Sequence, residues 1–162
     1  MCSSDLRLCD NSLLIKMAIS FVNLPKTVFK GKKNTVKWWV QKTAQIHKCQ
    51  IEQLVFNFCS DNELLKINRE FLKHNTFTDI ITFDYSEKEK ISGDIYISTE
   101  RVIENAEKFS SLVTFELLRV MIHGVLHLCG YKDKTLTQKR QMRKMEDRAL
   151  LNYRRLTKRK IK

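Results

Sequence analysis

The stretch His123–Asp133 (HGVLHLCGYKD) combines metal-ligand side chains, a helical period and a helix stop. If the stretch is helical up to the glycine, His123 and His127 are i,i+4 neighbours on one face, with Cβ atoms about 6 Å apart. Gly130 adopts a left-handed conformation at low cost, so the chain can turn back and bring Asp133 towards both imidazoles. Two imidazoles and a carboxylate, with a fourth position left for water, are typical of a catalytic zinc site. The stretch therefore predicts an open metal site.

The spacing of these ligands is that of the metzincin peptidases, which place a Glu directly after the first His as general base. Here that position is Gly124. Without this carboxylate no obvious group takes the proton from water, which argues against peptide hydrolysis by that route. Paired histidines can also be hydrogen-bonded core residues, but the pair together with Gly130 and Asp133 favours a metal site. Cys129 is a possible competing ligand that points to another helical face.

The residues around these histidines are apolar on nearly all sides, which predicts a buried helix from about Leu112 to Cys129. Two later strands joined by a short polar link are expected to pair antiparallel. The order of elements predicts an α+β fold, with a small mixed β-sheet packed with helices and the metal-ligand helix central and buried. The other predicted strands are Ala18–Val22, Gln53–Cys59, Asp79–Asp84 and Gly93–Ile97, and the other predicted helices run from a Thr35 cap to Lys48, from Asp61 to Phe71, from a Ser98 or Thr99 cap to Phe109, and from Thr137 to Leu156.

Length and composition predict one domain. A chain of 162 residues can bury a sizeable core but is short for two domains. We expect the domain at 17–156, a poorly ordered or doubtful extension at 1–16 and a basic tail at 157–162. No apolar run approaches bilayer length, and the start lacks a signal-peptide pattern. The five cysteines are odd in number and include no C-x-x-C pair, which argues against disulfides and thiolate zinc sites and favours the cytoplasm.

The formal net charge is +12, and the chain from Asp133 onward contains twelve Lys or Arg but only three acidic residues. Basic surfaces attract phosphate backbones through counterion release. A solvated tail would show the same charge, but a neighbouring metal site favours nucleic acid as the substrate. The adjacent Trp38 and Trp39 face different sides of their predicted helix. Aromatic rings can stack bases, although core packing is the commoner fate of at least one of them.

The run HGVLHLCGY, together with Asn68–Phe83 (NREFLKHNTFTDIITF) and the Ser92–Ile95 turn into a strand, resembles the YbeY family of bacterial rRNA maturation endoribonucleases. The resemblance covers most of the chain from about Met17. It implies one metal per chain, generally zinc, bound by three histidines of an HGxLHLxGYDH motif. By position the third ligand is Asp133, next to the same two histidines, and Asp is a competent zinc ligand. Iron and other first-row metals also suit such a ligand set.

A second departure from the family concerns an Arg that is linked to activity and precedes the threonine-aspartate strand. Its position holds Leu72, followed by Lys73 and His74. Either Lys73 supplies a phosphate-facing charge or the catalytic apparatus differs, because Lys and Arg are not interchangeable at such sites. Asp79, Asp94 and His74 are the candidates for the proton acceptor.

The resemblance implies a metal-dependent, single-strand-specific endoribonuclease in 16S rRNA 3′-end maturation and ribosome quality control, with rRNA and the small ribosomal subunit as partners. The residues alone predict an open divalent-metal site on a basic, cytoplasmic domain. Two alternatives remain open. One is a non-catalytic rRNA-binding ribosome-assembly factor with a structural metal, which the loss of Arg at Leu72 favours. The other is a metallohydrolase of another substrate, such as a peptide, against which Gly124 argues.

Overall fold

The computed structural model describes residues 19–26, 29 and 31–159. The predicted extension at 1–16 lies outside the described residues, as does Ala18, the predicted first residue of a strand. The last helix continues to Arg159, three residues beyond the predicted end of the domain. In chain order the elements are β1 (Ile19–Val22), α1 (Lys33–Ile46), β2 (Gln50–Cys59), α2 (Asp61–Leu72), β3 (Ile80–Asp84), β4 (Lys90–Ser98), α3 (Thr99–Lys108), α4 (Val113–Leu128) and α5 (Leu136–Arg159).

The four strands form one mixed sheet in the order β1-β2-β4-β3. Strands β1, β2 and β4 are parallel, whereas β3 is antiparallel to β4, with Ile80 opposite Ile97 and Asp84 opposite Gly93. This pairing confirms the predicted hairpin, and the arrangement confirms the α+β class with a small mixed sheet. As the last strand in the order, β3 pairs on its outer side with no strand of the described residues.

Helix α4 occupies the centre of the fold, as predicted. It contacts β3, β4, α1, α3 and α5, and its Met121, Ile122 and Val125 are fully buried. Each such side chain contributes about 1.5–3 kcal/mol through burial. The helix approaches the sheet most closely at Gly124, where a Cβ atom would lie 2.9 Å from Cδ1 of Ile95. The apolar helix is thereby held firmly against the sheet.

Helix lengths bear on the prediction that no segment crosses a membrane. Within the described ranges, no single helix is both long enough and apolar enough to span a bilayer. Helices α3 and α4 meet that test of length and composition only as a pair, and they are bent by 117° relative to each other.

Several boundaries differ from the predictions. The prediction that Thr35 caps α1 is wrong, because the helix begins at Lys33 and its N-cap is Lys32, without a side-chain hydrogen bond. Strands β2 and β4 each begin three residues earlier than predicted, at Gln50 and Lys90. These two residues lie opposite each other in the parallel ladder. The added stretches pair through the buried Ile51 and Ile91, and this pairing carries both strands on to the polar Gln50 and Lys90.

Helix α2 contacts β3, β4 and α3. Its start is fixed by a capping box, in which the Ser60 N–H donates to Glu63 Oε2 at 2.8 Å and the Glu63 N–H donates to Ser60 Oγ at 3.3 Å. Near its end, the Phe71 ring packs edge-on against Phe83 with 5.4 Å between centroids. The helix ends at Leu72, and Lys73 follows in a left-handed conformation with φ 58°.

Candidate metal centre

The structure brings the three predicted metal ligands together. The Nε2 atoms of His123 and His127 lie 2.9 Å apart. Asp133 Oδ2 lies 3.5 Å from the first of them and 3.6 Å from the second. Ligands bonded tetrahedrally to zinc at about 2.0–2.1 Å are roughly 3.3 Å from one another. The three atoms therefore have the spacing that one divalent ion requires.

The turn after α4 brings the aspartate to the histidines. Gly130 has φ +91°, as the predicted helix stop requires. Its N–H donates to His127 O at 2.9 Å, and the Tyr131 N–H donates to Leu126 O at 3.0 Å. These two bonds form a Schellman motif, which ends the helix and reverses the chain. The reversal places Asp133 over the imidazoles on α4.

The outer nitrogen of each imidazole has a hydrogen-bond acceptor. His123 Nδ1 lies 2.7 Å from Glu146 Oε1, and His127 Nδ1 lies 2.9 Å from the Tyr131 carbonyl oxygen. Carboxylates and carbonyls only accept, so each Nδ1 donates its hydrogen bond outward, and the two Nε2 atoms are the ring nitrogens that face the centre. The two Nε2 atoms and an oxygen of Asp133 then face one another. These three ligand atoms fit a divalent cation, because both rings are held in the tautomer that binds a metal through Nε2.

Glu146 on α5 hydrogen-bonds to a candidate metal ligand and was not among the site residues predicted from the sequence. It is 5% exposed and accepts hydrogen bonds from Arg119 at 3.2 Å and Arg143 at 3.3 Å. Burial works against ionisation, but the bonds to His123 and both arginines hold the pKa of Glu146 below its usual value. A local signal existed, since Glu146 falls on the same helical face as the apolar Met142 in an otherwise basic helix.

The ionised Glu146 acts on its neighbour in turn. Burial lowers the pKa of His123, but the hydrogen bond and charge of Glu146, with the charges of Asp133 and Asp79, outweigh burial and raise it. A concentration of negative charge around one imidazole attracts a cation of any kind, a proton or a metal ion.

The cluster opens onto a cleft of about 630 Å³ beside β3, which we call the metal cleft. Asp79, a predicted catalytic residue, lines it, and also lines a neighbouring cavity of about 240 Å³ that contains Glu116 and Arg119. Leu72 lines the metal cleft, as does Lys134, which was not among the site residues predicted from the sequence. The lining residues are Leu72, Thr78–Thr82, Asp84, His123, His127, Leu128, Asp133 and Lys134.

The other predicted catalytic residues lie elsewhere. Lys73 and His74 are exposed at the end of α2 and are not among the residues that line the metal cleft. The Tyr85 hydroxyl donates to Asp94 at 3.4 Å, so that this carboxylate is engaged outside the cleft. The thiol of Cys129 contacts Cys49, and burial together with this contact raises its pKa. Cys129 is not part of the cluster in which His123, His127 and Asp133 bring their ligand atoms within 4.8 Å of one another.

The absence of a carboxylate after the first histidine has a structural reason. Gly124 faces Ile95 and Ile80 on the sheet rather than the metal cleft. A Glu at this position would point into the core between α4 and the sheet. The metzincin arrangement of general base and metal therefore cannot form in this packing.

The α+β fold and its open cluster of two imidazoles and one carboxylate define a metal-binding domain with a ligand set of the catalytic type. A family profile described as Endoribonuclease YbeY matches residues 22–154. The chain belongs to this family.

Relatives and a solved structure agree with the assignment. An Endoribonuclease YbeY of Cytophaga hutchinsonii is 52% identical over 116 residues, which cover 71% of this chain and 81% of the relative. One of Phocaeicola vulgatus is 43% identical over 119 residues, which cover 74% and 86%. A solution structure of a Thermotoga maritima protein superposes with a TM-score of 0.60 at 26% identity, covering 84% of this chain and 91% of that one.

Proposed function

We propose that this protein is a metal-dependent, single-strand-specific endoribonuclease that acts in 16S rRNA 3′-end maturation and ribosome quality control. The observation that carries the proposal is the convergence of two imidazole lone pairs and a carboxylate oxygen in an open cleft. Membership of a family named for endoribonucleases supports RNA as the substrate. The net charge of +12 supports binding to its phosphates and to the small subunit in the cytoplasm.

His123, His127 and Asp133 would hold the ion, for which we propose zinc at one per chain. Two imidazoles and a carboxylate also suit iron and other first-row divalent metals. When bound, such an ion supplies Lewis acidity, which polarises a phosphoryl oxygen and lowers the pKa of water.

Residues of the metal cleft supply the remaining groups. Asp79 is our candidate for the proton acceptor because it lines the cleft beside His123, and its Oδ2 accepts a bond from Asn105 at 3.4 Å that orients it. Lys134 lies in the same cleft and is placed to stabilise negative charge on a phosphate. Lys73 and His74 directly follow Leu72, a cleft residue, so we assign them contacts with RNA at the rim.

The two alternatives are less well supported. A non-catalytic assembly factor would hold a structural metal, and structural sites close all four coordination positions. The cluster among the described residues offers only three ligands. A peptide hydrolase would need a base where Gly124 packs against the sheet. The relatives are named endoribonucleases, and this name supports neither alternative.

The test compares the wild-type protein with the His123→Ala, His127→Ala double variant on a single-stranded RNA and on the same sequence as a duplex. We expect the wild type to cleave the single strand in the presence of a divalent metal and the double variant to be inactive. Both proteins are purified in parallel, so a contaminating nuclease would appear in both. Undiminished cleavage by the double variant, after removal of contaminants, would sink the proposal.

A further inference from the structure

The two adjacent tryptophans of α1 have different environments. Trp39 is 1% exposed, and its indole N–H donates to the Ala149 carbonyl oxygen on α5 at 2.7 Å. Its ring packs edge-on against Tyr153 with 5.3 Å between centroids. Trp38 points away from this contact and is 42% exposed. Core packing therefore explains Trp39 but does not explain the exposed face of Trp38.

Trp38 forms part of the wall of a cavity of about 540 Å³ between α1 and α5. We call it the Trp38 cavity. Its apolar side also includes Ile46, which is 63% exposed. Among the described residues that line it, three are cations and none is acidic. The residues that matter for its chemistry are Trp38, Lys42 and Ile46 of α1 and Asn152, Arg155 and Lys158 of α5.

An exposed indole beside several cations is the combination that proteins use for single-stranded nucleic acids, where bases stack on aromatic rings and cations follow the backbone. Lys42 Nζ lies 5.6 Å from the centroid of the Trp38 ring. An exposed cation–π contact is weaker than the stacking of a base on the same ring. A base can therefore displace the ammonium group, which then becomes available for a phosphate.

The cavity is rigidly placed relative to the metal centre. Helix α5 carries Glu146, which contacts His123, and also Arg155, which lines the Trp38 cavity. At 1.5 Å per residue these two positions are about 14 Å apart along the helix axis. The bond between Trp39 and Ala149 fixes α1 to the helix between them. The cavity is thus separate from the metal cleft yet held on the same helix.

We propose that the Trp38 cavity is an ancillary binding site for single-stranded RNA. One base stacks on Trp38, the Asn152 amide hydrogen-bonds to its edge, and Lys42, Arg155 and Lys158 contact the neighbouring phosphates. The inference rests on the proposed function, since that function makes RNA the expected ligand. It adds a contact that raises affinity for the substrate without entering the metal cleft.

The test measures binding of a fluorescein-labelled single-stranded RNA of about ten nucleotides, within the usual range of site sizes, to the full-length, metal-loaded protein. Fluorescence anisotropy gives the Kd, and gel electrophoresis confirms that the RNA stays intact. We expect Trp38→Ala to weaken binding by about 5- to 150-fold, the range for loss of one stacked base. Trp38→Phe keeps an aromatic face and should bind within about threefold of the wild type.

A charge variant tests the phosphate contacts separately. Arg155→Gln should reduce the slope of log Kd against log salt concentration by about 0.7, the value for one single-strand phosphate contact. The matched control is Lys144→Gln, which removes the same charge from an exposed position of α5 that lines neither the Trp38 cavity nor the metal cleft. Thermal unfolding checks that each variant is folded.

Binding of RNA by Trp38→Ala within twofold of the wild type would overturn the inference, as would equal effects of Arg155→Gln and Lys144→Gln. A wild-type protein that does not bind the RNA would overturn it as well. These outcomes are separable from the proposed function. If cleavage depends on His123 and His127 while Trp38→Ala binds RNA normally, the proposed endoribonuclease function is supported and only the ancillary site is excluded.

Discussion

The hydrogen bond between Glu146 and His123 offers the sharpest test of how the fold prepares its metal centre. In Glu146→Gln the side chain keeps its shape, and its carbonyl oxygen can still accept from His123 Nδ1. The charge is lost, and a hydrogen bond to a charged acceptor is about twice as strong as one to a neutral acceptor. The imidazole then becomes a weaker and less firmly oriented ligand.

The expected magnitude follows from this loss. Replacing the hydrogen-bond partner of a metal-ligating histidine lowers metal affinity by about 10- to 100-fold, which corresponds to about 1.4–2.8 kcal/mol. Burial of Glu146 and its bonds to Arg119 and Arg143 argue for the upper part of this range, since water cannot replace the lost charge.

The assay is competition for Zn²⁺ with a chromophoric chelator at about pH 8.5, which limits competition from the proton whose binding Glu146 favours at His123. The matched control is Asp147→Asn. Asp147 accepts a bond from the same Arg119 at 2.8 Å, but its side chain is 59% exposed and is not bonded to a metal ligand. We expect this control to bind zinc within about twofold of the wild type. Equal affinities of Glu146→Gln and the wild type, or equal losses in both variants, would show that the charge of Glu146 does not strengthen zinc binding through His123.

Three further predictions concern the ligand set, the packing of α4 and the half-buried thiol of Cys59. Asp133→Ala should lower the metal content of protein purified without chelator well below one ion per chain, whereas Asp133→His should restore it; elemental analysis would show full occupancy in Asp133→Ala if the aspartate were not a ligand. Gly124→Ala should destabilise the fold by about 1–3 kcal/mol in urea unfolding, because its Cβ would lie 2.9 Å from Ile95, and an unchanged midpoint would contradict this packing. Burial and the charges of nearby acidic groups raise the pKa of Cys59 to about 11, so its alkylation at pH 8, followed by peptide mapping, should be about 100-fold slower than in the unfolded chain. Equal alkylation rates in the folded and unfolded chain would exclude this shift. Because the pKa of Cys59 is raised in the folded state, the stability that it contributes is complete below about pH 9 and falls as the pH rises towards 11.

Local sequence carried a large part of the fold and of the metal centre. The i,i+4 histidines, the stop at Gly130 and the hairpin of β3 and β4 were all predictable. Each depends on residues that are close in the chain, where helical periodicity, turn conformation and strand alternation leave a direct pattern. The failed prediction of a Thr35 cap also concerns neighbouring residues. The sequence pattern pointed to a cap-forming side chain, but the helix begins earlier, after Lys32, without a side-chain cap.

The i,i+4 spacing of His123 and His127, their helix and the chain reversal before Asp133 could be predicted from the sequence, because each depends on neighbouring residues. Three other features arise only from tertiary packing: Glu146 hydrogen-bonds to His123, Asp79 and Lys134 share the metal cleft, and Trp39 is buried while Trp38 is exposed. The strand order β1-β2-β4-β3 likewise arises from tertiary packing. Such relations join residues that are far apart in the chain, and their free energy arises from packing and burial that exist only after folding.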